Sequence, residues 1–197
     1  MQKLTIAILI SIIICSVTAV NSNAHEVDAM TDKLIRIHVI ANSDREEDQA
    51  LKLKVRDSVL EAASGFITDC NSKDEAMDAI RDSLCEITSA AIQTVEENGY
   101  DYDVRCTISE EEFDERVYDD FTLPAGCYDS LCIRIGDADG KNWWCVCYPS
   151  LCLGTSLSID DCEVFTEGEL RIVKEPEKVR YKLWCYEMFR RLMKLFD

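Results

Sequence analysis

The sequence predicts an α+β domain of two layers: a mostly antiparallel sheet of about four or five strands, packed by two long helices and a carboxy-terminal helix. Three observations predict it. Two apolar stripes at helical spacing lie between residues 46 and 97, each opened by a capping box. Beyond Gly99 the apolar period changes from helical to two, and past Pro176 a helical period returns. With 197 residues, 47% of them apolar and 30% charged, the chain has enough apolar surface to bury a core.

Taken in order, Ile35, Ile37 and Val39 alternate with Arg36 and His38 between Lys33 and Asn42, which is a strand pattern. Ser43-Asp44-Arg45-Glu46 reads as a capping box with Ser43 at the N-cap, followed by Leu51, Val55, Val59, Ala62 and Phe66 on one helical face. A second box at Ser72–Glu75 opens a helix with Met77, Ile80, Leu84, Ile87, Ala91 and Val95 inward, stopped by Asn98-Gly99. Tyr102, Val104, Cys106 and Ile108 then alternate as a strand. The acidic run Glu110–Glu112 reads as a connection, and Val117–Leu123 as a further strand. Leu123-Pro124-Ala125-Gly126 is a turn. Residues 128–135 form the next strand, with Leu131, Ile133 and Ile135 on one face. Gly136–Gly140 reads as a hairpin loop into the strand 142–148. Residues 154–172 look irregular, and Pro176 can start the last helix, about 176–196.

The amino terminus sets the compartment. Lys3 precedes a 17-residue uncharged run, Leu4–Val20, and the small residues Ser22 and Ala24 suit cleavage after Ala24. Residues 1–24 therefore read as a signal peptide or, if retained, a membrane anchor, and residues 25–197 as a single secreted domain. The net charge is −17, or −18 without that segment. So acidic a surface repels phosphate backbones and disfavours nucleic acid as a partner. Ten of the 11 cysteines follow residue 24, where disulfides are the default use. Cys145 and Cys152 lie seven residues apart across Pro149 and can fold back to bonding distance, with Cys147 competing.

A search for chemistry leaves no catalytic, cofactor or metal site to expect. Only two histidines are present. His38 with one of the cysteines is the nearest approach to a nucleophile–base pair. Its neighbour Arg36 suggests a half-solvated sheet face and a structural role. Cys-x2-Cys pairs are absent, and Cys145-Val146-Cys147 puts both thiols on one face of a strand without the spacing of a zinc site. Asp137-Ala138-Asp139-Gly140 begins like a calcium loop but lacks the downstream Glu. No small-molecule substrate is implied.

Surfaces for a partner are easier to nominate. Trp143 shares a strand face with Cys145 and Cys147, as a core residue would. Trp144 shares the other face with Val146 and Tyr148, an aromatic strip suited to an interface. The last helix carries seven basic residues against four acidic ones over 174–197, together with Trp184, Tyr186, Phe189 and Phe196. Such a helix can pack at home or lie on a membrane or a partner.

Three stretches resemble the stage II sporulation protein R family of endospore-forming bacteria. The first is Arg36-Ile-His-Val-Ile-Ala-Asn-Ser-Asp44, continued by Asp48-Gln-Ala-Leu-Lys52 and Val55-Arg-Asp57. The second is Leu123-Pro-Ala-Gly126 with Tyr128 and Leu131, and the third Asn142-Trp-Trp-Cys-Val146 with Pro149, Leu151 and Cys152. The resemblance implies export from the forespore into the space between the two sporulation membranes. There the protein would activate a membrane-embedded aspartic protease of the mother cell that processes pro-sigma-E. It would be a signal and not an enzyme. The alternative is a secreted, cell-wall-associated hydrolase. Asn42, Asp44 and Asp48, polar and loop-borne or beside the loop, are the expected contacts with the protease, together with Trp144 and Tyr148.

Overall fold

The structure, a computed structural model, describes residues 27–118, 121–149 and 164–174. The chain divides into two compact units. One comprises Asp32–Phe113 with Cys127–Val164, the other Met1–Thr31, Asp114–Gly126 and Phe165–Asp197. The larger unit holds strand β1 (Ile35–Ile40), helices α1 (Glu46–Ile67), α2 (Lys73–Asp82) and α3 (Leu84–Glu97), and strand β2 (Val104–Phe113). It also holds almost all of β5 (Gly126–Ile135) and β6 (Asn142–Tyr148). The smaller unit contains the short strands β3 (Arg116–Val117) and β4 (Thr122–Leu123) and helix α4 (Glu167–Lys174). The α+β class expected from the sequence holds, with a four-stranded, mostly antiparallel sheet.

The strand order is β2-β5-β1-β6, with β1 parallel to β5 and antiparallel to β6. The segment 136–140 is therefore not a hairpin loop: β5 and β6 flank β1 instead of pairing with each other. Ile35, Ile37 and Val39 align with Leu131 and Ile133 of β5 and with Trp143 and Cys145 of β6, forming the face that α1 covers. These aliphatic residues are fully buried, and Ile135 nearly so. The opposite face carries Arg36, His38, Ser130, Cys132, Trp144 and Val146. Arg36 and His38 are 0% and 2% exposed, so the half-solvated face expected for them does not exist. The pairing register shifts between Ile35, opposite Tyr148, and Arg36, opposite Val146, leaving one extra residue in β6. This bulge turns Tyr148 away from the face of Trp144 and breaks the expected aromatic strip.

Other expectations need adjustment. The run Glu110–Glu112 belongs to β2, because alternation continues through it and the last residue, Phe113, is buried. Val117–Leu123 is not one strand but a small antiparallel ribbon, closed by Tyr118 N donating to Phe121 O at 2.8 Å. The second helix is two. Ser83, with ψ near 6°, separates α2 from α3, although its carbonyl still accepts from Glu86 and Ile87. On α1 the buried stripe steps by four to Ala63 and Ile67, where Ala62 and Phe66 were expected, and it faces α3 as well as the sheet. The start of α2 is as read: Ser72 Oγ accepts from Glu75 N, and Glu75 Oε2 accepts from Asn71 N. Gly99 at φ +80° ends α3 as expected.

Helix α4 occupies part of a stretch expected to be irregular. Thr166 Oγ1 accepts from Glu169 N and Glu169 Oε2 accepts from Thr166 N, a reciprocal capping box legible in Thr166-Glu-Gly-Glu169. The segment 1–24 and the helix about 176–196 lie outside the described residues. Among those residues no helix is long and apolar enough to cross a membrane.

Candidate functional site

Residues of the family-like stretches take part in two polar constellations of the larger unit, one at the end of the sheet and one on its second face. At the sheet end, β1 leads through Ala41–Arg45 into α1, and the connection between β5 and β6 packs against this turn. Two glycines permit the approach. A side chain at Gly136, whose φ is +58°, would collide with Asn42, and one at Gly140 with the Ser43 carbonyl. Backbone bonds then join the two segments: Asp139 N donates to Asn42 O at 3.2 Å and Gly140 N to Ala41 O at 3.0 Å. Side chains complete the clamp. Asn42 Oδ1 accepts from Asp137 N at 3.0 Å, Asp44 Oδ1 from Lys141 N at 2.7 Å, and Lys52 Nζ donates to Lys141 O at 2.8 Å.

Asp48 is the centre of this clamp. Its carboxylate accepts from Asn42 Nδ2 (3.0 Å), Ser43 Oγ (2.5 Å), Arg45 Nη2 (3.2 Å) and Tyr102 Oη (3.1 Å). Burial alone would raise its pKa. The bonds from Ser43, Asn42 and Tyr102 and the charge of Arg45 overcome that and hold it at about 2. Ser43 is consequently not the N-cap expected of it. Arg45 takes that position without a side-chain cap, while Ser43 spends its hydroxyl on Asp48 and its carbonyl on Gln49 Nε2. Asn42 and Asp44, which showed no structural duty in sequence, each hold the β5–β6 connection in place.

The five residues nominated for partner contact separate by exposure. Asp44 is exposed and Trp144 half-buried, whereas Asp48 and Tyr148 are buried and Asn42 intermediate. Tyr148 lines a polar cleft with Lys33, Ser72 and Lys73. Trp144 lies on the face of Val146 as expected, whereas Trp143 is not a core residue. Trp143, half-buried instead of in the core, has the Arg56 guanidinium 5.1 Å from its ring centre. Trp144 stacks on His38 with centroids 4.7 Å apart and meets Phe113 edge-on. Cys145 is disulfide-bonded, whereas Cys132 and Cys147 are free. Cys152, nominated as the partner of Cys145, lies outside the described residues.

On the second face, Arg36 sits between aromatic rings, its guanidinium 4.3 Å from the centre of Phe113 and 5.1 Å from that of Tyr128. His38 lies beside it. Its Nε2 meets Glu111 Oε2 at 2.9 Å, while its buried Nδ1 has no hydrogen-bond partner. Burial lowers the pKa of His38, against the opposing pull of Glu111. Cys132 is opposite His38 in register, and its thiol is pushed up to about 12, chiefly by burial. His38, Glu111 and Cys132 offer ligand atoms within 4.8 Å of one another, from three adjacent strands. Their separation in sequence hid this cluster, and only the sheet order reveals it.

The fold and its motifs thus define an α+β protein in which the neighbouring strands β5, β1 and β6 carry residues of the family-like stretches, among them Tyr128 and Leu131, Arg36 to Val39, and Asn142 to Val146. The family model for stage II sporulation protein R matches residues 31–157, and the chain belongs to that family. It is 35% identical over 150 residues to the stage II sporulation protein R of Bacillus subtilis (strain 168), a match spanning 75% of this chain and 66% of that protein. No solved structure matches the chain. Membership ties the protein to sporulation.

Proposed function

We propose that the protein is an exported signal of endospore formation, acting between the forespore and mother-cell membranes. There it activates the membrane-embedded aspartic protease that processes pro-sigma-E. Family membership supports this reading, and so does the export-like amino terminus. The observation that carries it is the packing of Asn42, Asp44 and Asp48 into one clamp that fixes the turn and leaves Asp44 exposed on it. A motif spent on shaping a surface suits a protein that is recognised. On this reading Asp44 and Trp144 touch the protease, while Asn42, Asp48 and Tyr148 hold the surface in shape. The cluster of His38, Glu111 and Cys132 does not favour the hydrolase alternative, because a buried thiol held at about 12 is a poor nucleophile.

The test is reconstitution of the protease with pro-sigma-E in vesicles. Cleavage should start on addition of this protein and should require the protease's own catalytic aspartates. Cleavage that persists when those aspartates are replaced would assign hydrolysis to this chain instead.

A further inference from the structure

We propose that His38, Glu111 and Cys132 form a binding site for one borderline-soft divalent metal ion, with Zn²⁺ the best fit. The donor set is imidazole nitrogen, carboxylate oxygen and thiolate sulfur, all common zinc ligands, and three protein ligands leave a fourth position for water. The three donors lie within 4.8 Å of one another, near the roughly 3.4–3.8 Å that bonds of zinc length impose on tetrahedral ligands. A small inward movement of side chains closes the site.

Two independent observations point to a ligand here. The imidazole is 2% exposed and its Nε2 already faces the Glu111 carboxylate at 2.9 Å, the nitrogen and oxygen that a shared ion would bridge, while its Nδ1 has no hydrogen-bond partner. The carboxylate is already oriented. Glu111 Oε1 accepts from Ser109 Oγ at 2.9 Å and faces Arg134 Nη2 at 3.4 Å, which turns Oε2 toward His38. That is how an outer layer of bonds presents a ligand oxygen to a metal. Binding displaces the thiol proton of Cys132 to solvent, so that thiolate and carboxylate offset the ion's two charges beside the guanidinium groups of Arg134 and Arg36. Glu111 is partly exposed on the edge strand β2, which provides a way in. The site would tie β1, β5 and β2 together at their second face.

The experiment uses the full chain in detergent micelles, stripped with a chelator and titrated with Co²⁺ and then Zn²⁺. One Co²⁺ should bind per chain, with a thiolate-to-cobalt charge-transfer band and release of one proton, and Zn²⁺ should displace it. Cys132→Ser should abolish the band, while Cys147→Ser leaves it intact. Glu111→Gln, at a partly exposed position, should weaken Zn²⁺ binding at least about tenfold. Absence of the band in the parent chain overturns the proposal, as does a band that survives in folded Cys132→Ser. If Cys132→Ser does not fold, the Glu111→Gln affinity decides, and an unchanged value overturns the site.

Discussion

The two polar regions of the larger unit solve the same problem differently. At the sheet end a buried carboxylate has its partners in place, four donors from Asn42, Ser43, Arg45 and Tyr102 around Asp48. On the second face, Arg36 is packed against rings, and His38, as deeply buried, has Glu111 at its Nε2 but no partner for its Nδ1. A satisfied network fixes a conformation, and an unsatisfied one stores capacity to bind. The first region therefore reads as scaffold and the second as a site. Four predictions test that division, from the largest effect to the smallest.

Asp48→Ala should cost about 3 kcal/mol in chemical denaturation, because it removes the buried acceptor that Asn42, Ser43 and Tyr102 share. A loss under about 1 kcal/mol would demote the clamp to surface decoration.

Acid should act on the same carboxylate. Asp48 has its pKa lowered from 3.8 to about 2, so the folded state binds its proton less readily than the unfolded chain. Its contribution, about 2 kcal/mol, is complete above pH 4 and is lost as the pH falls toward 2. Stability curves of the parent chain and Asp48→Asn should converge across that window, and parallel curves would contradict the assignment.

The tryptophans sharpen the contrast from the other side. Trp144→Ala should destabilise by about 1–2 kcal/mol more than Trp143→Ala, since it removes the stack on His38 and the edge contact with Phe113. Thermal melts in which Trp143→Ala is the worse variant would return Trp143 to the core.

Ser43→Ala should cost about 1 kcal/mol, and through Asp48, not through a helix cap. In the Asp48→Asn background the same substitution should then cost almost nothing further. A full cost in that background would restore the capping role.

Much of the fold was legible because its signals are local. The capping box at Ser72 and the Asn98-Gly99 stop depend on neighbours within a few residues, and the structure keeps both. What failed was non-local. Nothing in Gly136–Gly140 says that β1 will lie between the strands it joins, so a turn-like composition was read as a hairpin. Ser43 fits a capping box by spacing. It gives that role up because Asp48, five residues on, is buried and needs its hydroxyl. The bulge that turns Tyr148 away is likewise set by pairing with β1 and not by β6's own alternation. The cluster of His38, Glu111 and Cys132 is the extreme case, since its members are 73 and 21 residues apart and meet only through the strand order.

The central claim is that the motif turn builds a surface and that its exposed member carries the signal. Asp44→Asn addresses it directly, because the amide oxygen can still accept from Lys141 N while the negative charge is gone. The measurement is pro-sigma-E cleavage in the reconstituted vesicles, read beside the melting temperature of the same variant. The account predicts an unchanged melting temperature with protease activation reduced at least about tenfold. Full activation by a normally folded Asp44→Asn protein would contradict it.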